Sequence, residues 1–210
     1  MQIEIFFGIL ALVFSVVLHE VSHGYMANFL GDPTARLQGR LTLNPLKHLD
    51  PFGSIFLPAI LILSHSPFLF GWAKPVPYNP YNFKRGGVWA EALVAGAGPM
   101  ANFGIALGLA MILRVLGGVI PEEVVGLAFS IIVINVALAI FNLIPIPPLD
   151  GSKILSAVLP SGLAMQWEKL RMWLEYNPLL GFGAVILFVI LIGGGIGPMV
   201  QWVAQALVGI

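Results

Sequence analysis

The chain has 210 residues, of which 58% are hydrophobic and 10% charged, and its mean hydropathy is +0.93. Such a composition excludes an ordinary water-soluble domain and fits a polytopic membrane protein. A formal charge of zero leaves no basic footprint for nucleic acid. The absence of cysteine excludes a disulfide framework, a thiolate metal site and a cysteine nucleophile, so any metal must be held by His, Asp or Glu.

In chain order, apolar runs fall at about 3–30, 52–72, 88–118, 123–149 and 178–208. Each is near or above the roughly 20 residues that a helix needs to cross the hydrocarbon core. The first has no Lys or Arg before Arg36, so it lacks the positive start of a cleaved signal and reads as a membrane helix of the mature protein. Gly193, Gly194, Gly195, Gly197 and Pro198 interrupt the last run, which predicts one helix followed by a shorter interfacial piece. Residues 151–160 could add a short helix, and 31–50, 73–87 and 161–177 are polar linkers.

Basic residues concentrate in those three linkers, whereas the fourth, near Arg114, also carries Glu122 and Glu123. The positive-inside rule therefore puts the three basic linkers in the cytoplasm and residues 117–122 outside. Two successive cytoplasmic linkers cannot flank a single crossing. The intervening run contains Pro51, Gly53, Pro58 and Pro67, and is expected to be re-entrant at about 52–72.

The first run contains HEVSH, with His19 and His23 one helical turn apart and Glu20 beside the first. Two imidazoles on one face can share an ion, and a neighbouring carboxylate can act as general base on water there. Three ionisable groups inside an apolar helix would otherwise need extensive pairing. For a third ligand, the candidates include Asp150, His48, His65, Asp32 and Asp50. Asp150 follows Pro145, Pro147 and Pro148, which end a regular helix. On the topology above it lies at the same depth as HEVSH.

HEVSH followed by NLIPIPPLDG resembles the site-2 protease family of intramembrane zinc metalloproteases. GAGPMAN (96–102) and LNPLKHLDPFG (43–53) are similar to further segments of that family, so the likeness runs from about residue 12 to 155. The resemblance implies an all-α polytopic membrane bundle forming one domain over 1–210. Its three-helix catalytic core would be the first, third and fourth runs. It implies one Zn2+ held by His19, His23 and Asp150, with Glu20 as catalytic base. It also implies a membrane-spanning protein substrate within the lipid bilayer of a prokaryotic cell, and the charge-based topology puts the active site towards the cytoplasmic side. The chain is expected to be of the compact type, without a PDZ-like domain between the core helices or a CBS-like domain after them.

Further roles are read from the residues. Asn142 is the expected oxyanion donor, because its amide lies in the same motif as Asp150. Asn102 is expected to brace close helix packing, and His48 to assist catalysis or tie down its loop. His65 reads as a turn residue. The aromatic, proline-rich stretch 70–83 reads as a membrane-surface anchor or as a segment that holds unwound substrate, with Tyr78 as the test position. A membrane metal transporter or metal-handling protein is the alternative function.

Overall fold

The computed structural model describes residues 2–64 and 71–209. Among these residues the regular structure is all helical. Helix α1 (Gln2–Leu30) is 29 residues long, so at about 1.5 Å per residue it extends roughly 43 Å, enough to span a bilayer. It stops at Gly31, whose φ of +112° suits glycine alone, while Asp32 N–H reaches back to Ala27 O at 2.9 Å and closes a Schellman turn. A single turn, α2 (Thr34–Leu37), follows. After a 3-10 turn at Pro45–Lys47, a longer helical segment runs over Pro51–Leu63 and ends in α3 (Leu57–Leu63). Asp50 caps its start by accepting from the N–H groups of Phe52 and Gly53.

The bundle is completed by α4 (Ala90–Leu116), α5 (Glu122–Asn142), α6 (Asp150–Val158), α7 (Ser161–Tyr176), α8 (Pro178–Ile192) and α9 (Ile196–Val208). Among the described residues four stretches are long and apolar enough to cross a membrane: Phe6–Leu30, Gly87–Leu116, Glu122–Asn142 and Pro178–Val208. At the centre, α4 packs against α1, α5, α6 and α9. Small residues on it, Ala106 and Ala110, are fully buried and let Ile132 and Val136 of α5 and Val200 and Ala204 of α9 approach closely. In lipid, where apolar burial supplies little drive, such close packing is what holds helices together. Large side chains such as Phe14, Leu107, Met111, Ile190 and Leu191 point outward, as a lipid-facing belt requires.

Helix direction can be read from cross-links. Ser15 and His19 of α1 bond to Asn102 of α4, and His23 to Val94, so α1 and α4 are antiparallel. Lys84 N–H bonds to Leu30 O, which places the start and finish of residues 31–84 at one end of the bundle. Within that excursion, Lys74 N–H bonds to His48 O and Trp72 N–H to Gly53 O. Both limbs of the 52–72 segment therefore begin side by side, as re-entry demands. His65 and Pro67 lie outside the described residues.

Three boundaries differ from the sequence reading. The fourth run ends at Asn142 rather than 149, because Pro145, Pro147 and Pro148 deny the helix its N–H donors and crowd the preceding turn. The polar linker 161–177 is almost entirely α7, stapled by the i, i+3 and i, i+4 pairs of Arg171 with Glu168 and Glu175. The piece after the glycines, α9, is no surface segment: it packs on α4 and α5, and Arg114 donates to its terminal carbonyls at Ala206 and Leu207.

Candidate metal centre

HEVSH sits in the second half of α1, where the i, i+4 spacing turns His19 and His23 towards α4. His19 Nδ1–H donates to Asn102 Oδ1 at 2.6 Å, and His23 Nδ1–H to Val94 O at 2.7 Å. Because a backbone carbonyl and an amide oxygen only accept, both rings carry their proton on Nδ1 and turn the Nε2 lone pair inward. Asp150 is the first residue of α6, brought in by the turn after α5. Its Oδ2 lies 3.1 Å from His19 Nε2 and 3.3 Å from His23 Nε2. All three side chains are buried.

Two glycines make this convergence possible. A Cβ on Gly98 would lie 2.5 Å from His23 Nε2 and 2.6 Å from His19 Nε2, so only glycine leaves the space in front of the two rings open. A Cβ on Gly151 would lie 2.1 Å from Leu143 O, so glycine lets α6 start hard against the end of α5.

Glu20 lies on the neighbouring face of α1, and its Oε2 accepts from Val76 N–H at 2.9 Å. Val76 belongs to the 71–79 strap, which crosses α1 without regular secondary structure. Lys74, Val76 and Asn79 each precede a proline and are thereby biased to extended backbone. Arg40 holds the strap by donating to the carbonyls of Lys74 and Pro75, and Asp32 accepts from Asn79 N–H at 2.7 Å.

The remaining expected site residues are placed as follows. Asn142 donates its amide to Leu138 O of its own helix, one turn back. Asn102 is more than a packing brace, since it bonds His19 directly. His48 is 2% exposed and bonds Thr42 O, so it ties its loop. Tyr78 packs inward over Ala27, Leu30, Ala90 and Val94 and donates to Glu91, so it anchors the strap to protein rather than to the membrane surface. Burial, offset in part by Lys153, pushes its phenol up to about 12, which keeps the donor proton in place. Sequence reasoning missed Gly98, Asn135 and the strap's hold on Glu20. Asn135 alone left a signal, as an amide in the middle of the most apolar span.

The profile of peptidase family M50 matches residues 7–126 and 117–175. The chain belongs to this family, the one its HEVSH and LDG motifs resemble, and is an integral, multi-pass membrane protein. It is 39% identical over 203 residues to "Putative zinc metalloprotease YwhC" of Bacillus subtilis, covering 92% of this chain and 83% of that protein. It is 33% identical over 140 residues to "Putative zinc metalloprotease Rip2" of Mycolicibacterium smegmatis, covering 65% of this chain and 51% of the relative. Rip2 of Mycobacterium tuberculosis H37Rv is 34% identical over 138 residues, with the same shares. No solved structure matches the chain.

Proposed function

We propose that the protein is an intramembrane zinc metalloprotease that hydrolyses peptide bonds within or near membrane-spanning segments of other proteins. One observation carries this reading. Two imidazole lone pairs and a carboxylate converge, and both ring protons are committed elsewhere. Such a cluster repels itself unless a proton or a metal ion sits among the three donors. The donor set fits zinc: with bonds of about 2 Å, the edges of a tetrahedral site are roughly 3.3 Å, close to the separations of Asp150 from both histidines. His19, His23 and Asp150 would hold the ion and leave a fourth position for water or substrate. When bound, zinc polarises a scissile carbonyl and makes water a stronger acid.

The chain's own residues supply the rest. Glu20 would take the attacking water's proton and deliver it to the departing amine. Val76 N–H holds that carboxylate in one orientation. The site lies within the Phe6–Leu30 span, so the bond it reaches is one normally shielded by lipid and by its own helix. The strap's extended backbone beside Glu20 suits it to steady an unwound substrate. Asn142 would need to turn its amide away from Leu138 O to serve an oxyanion. The end of the bundle bearing Arg36, Lys47, Lys74, Lys84 and Arg85 would face the cytoplasm. Family membership leaves the transporter alternative without support.

The test compares purified wild type with Glu20→Gln for zinc content and for cleavage of a single-span substrate, with and without chelator. One zinc in each, with chelator-sensitive cleavage by wild type alone, is the expected result. A cleaving Glu20→Gln would overturn the base, and a wild type that binds no zinc would overturn the metal reading.

A further inference from the structure

The most apolar span, Glu122–Asn142, carries an asparagine at its middle with no exposed surface. An amide there is costly unless every polar atom is bonded. Asn135 meets that demand in full. Its Nδ2 donates to Ile131 O and to Ser15 Oγ, both at 2.9 Å, and its Oδ1 accepts from Asn102 Nδ2 at 2.8 Å. Asn102, also fully buried, spends its second N–H on Ser15 O at 3.2 Å and its oxygen on His19 Nδ1–H.

The orientations in this chain are not interchangeable. Ile131 O can only accept, so Asn135 must turn its nitrogen to that carbonyl and its oxygen to α4. Asn102 must then turn its nitrogen to Asn135 and its oxygen to His19. His19 is thereby obliged to carry its proton on Nδ1 and to present Nε2 to Asp150. The shorter of the two bonds that fix the Asn102 amide nitrogen is the one it donates to Asn135 Oδ1.

We propose that Asn135 of α5 is a positioning residue which, through Asn102, fixes the tautomer and ring orientation of the metal ligand His19. The inference rests on the metal reading above and adds α5 to the three helices, α1, α4 and α6, that carry or orient the ligands. An asparagine that served only as glue between helices would lower stability when lost but leave the ligand set of the folded protein unchanged.

The full chain in detergent tests this by chelator-competition measurement of zinc affinity, alongside thermal melting. Asn135→Leu is expected to weaken zinc binding by about 10- to 100-fold, the usual cost of losing an outer hydrogen-bond partner. Asn135→Asp, whose protonated carboxyl can donate to Ile131 O and accept from Asn102, is expected to stay within about threefold of wild type. A folded Asn135→Leu with unchanged affinity would overturn the inference, whatever its melting temperature. Should that variant not fold, 15N NMR of the imidazoles in wild type decides: an Nδ1–H tautomer at His19 supports the relay, and an Nε2–H tautomer in the metal-free protein overturns it. Failure of wild type to bind zinc at all would instead sink the metal reading.

Discussion

The carboxylate of Glu20 and the backbone N–H of Val76 meet at 2.9 Å, although 56 residues separate them in the chain. The approach depends on Gly24, one turn further along α1. A Cβ there would come within 2.8 Å of Val76 Cγ1 and 2.6 Å of Leu41 Cδ2. The strap proposed to steady substrate thus also orients the proposed base, and on that reading substrate engagement and proton transfer would be coupled through one peptide group.

Val76→Pro removes that N–H while retaining the extended backbone that a residue before Pro77 favours. We expect it to keep its zinc and to cleave about 10- to 100-fold more slowly, the scale of a misplaced catalytic group. Val76→Ala retains the N–H and should stay close to wild type in rate. Equal rates for the proline and alanine variants would show that the hydrogen bond has no part in turnover.

Gly98 gives a sharper steric prediction. Alanine there would put a methyl carbon within 2.6 Å of both Nε2 atoms, where the ion would otherwise sit. Gly98→Ala should therefore lose zinc, by at least tenfold in affinity as judged from the cost of lesser outer-shell changes. Gly104 is on the same helix with open space at its Cβ, and Gly104→Ala should bind zinc normally and gain roughly 0.5–1 kcal/mol of helix stability. Zinc titration of the two variants, with circular dichroism to confirm folding, separates a local clash from a general effect of substitution in α4.

Asp32 yields a pH dependence. It has no exposed surface. Burial alone would raise its pKa, but hydrogen bonds from Asn82, Thr34 and the Asn79 backbone outweigh it and hold the carboxyl below its ordinary value. A group depressed in the folded state stabilises it fully above the unfolded value, about 3.9 for Asp. That contribution fades as pH falls from there through the folded value. Wild-type stability should thus drop below about pH 4, with the strap released first. Asp32→Ala should cost about 1–3 kcal/mol at neutral pH, since Asn79 N–H and the Asn82 amide lose their acceptor. Denaturation and limited proteolysis of the strap from pH 6 to 3 would check both. An acid slope unchanged in Asp32→Ala would assign it to other carboxyls.

The legible part of this protein was the part written in local spacing. HEVSH announces its shared face because four residues make about one helical turn, and the prolines before Asp150 announce a break. Charge parity led to the expectation of re-entry at 52–72, and the Gly53–Trp72 and His48–Lys74 bonds, which bring the two ends of that segment together, agree with it. What stayed hidden depends on which helix face meets which. Gly98 looks like any small packing residue until His19 and His23 are set opposite it. Asn142 and Asn135 are both buried-side amides of α5, and the motif singled out the first. The second connects to His19 because Ser15 and Asn102 lie across from it. The helix α7 was missed because its apolar content is low and it is held largely by ions.

That ionic hold supplies the last prediction. Arg171 is 5% exposed and bonds Glu91 of α4 at 3.2 Å and Glu175 at 3.0 Å, with Glu168 gripped by its Nε and a terminal nitrogen. Glu91 also accepts from Tyr78, and the Lys153 ammonium lies 5.4 Å from that ring's centroid. One guanidinium thus ties α7 to α4 and, through Glu91, to the strap. Removing one partner of a fully buried pair costs about 3–5 kcal/mol, but the three acids are about one-third exposed and partly screened. Arg171→Met should therefore lose on the order of 1–3 kcal/mol. Arg171→Lys keeps the charge but has no planar fork to engage three carboxylates, so it should fall between the two. Thermal melts at low and high salt give the ranking. If Arg171→Met melts with wild type at low salt, α7 is held by its apolar contacts and the strap gains nothing from the cluster.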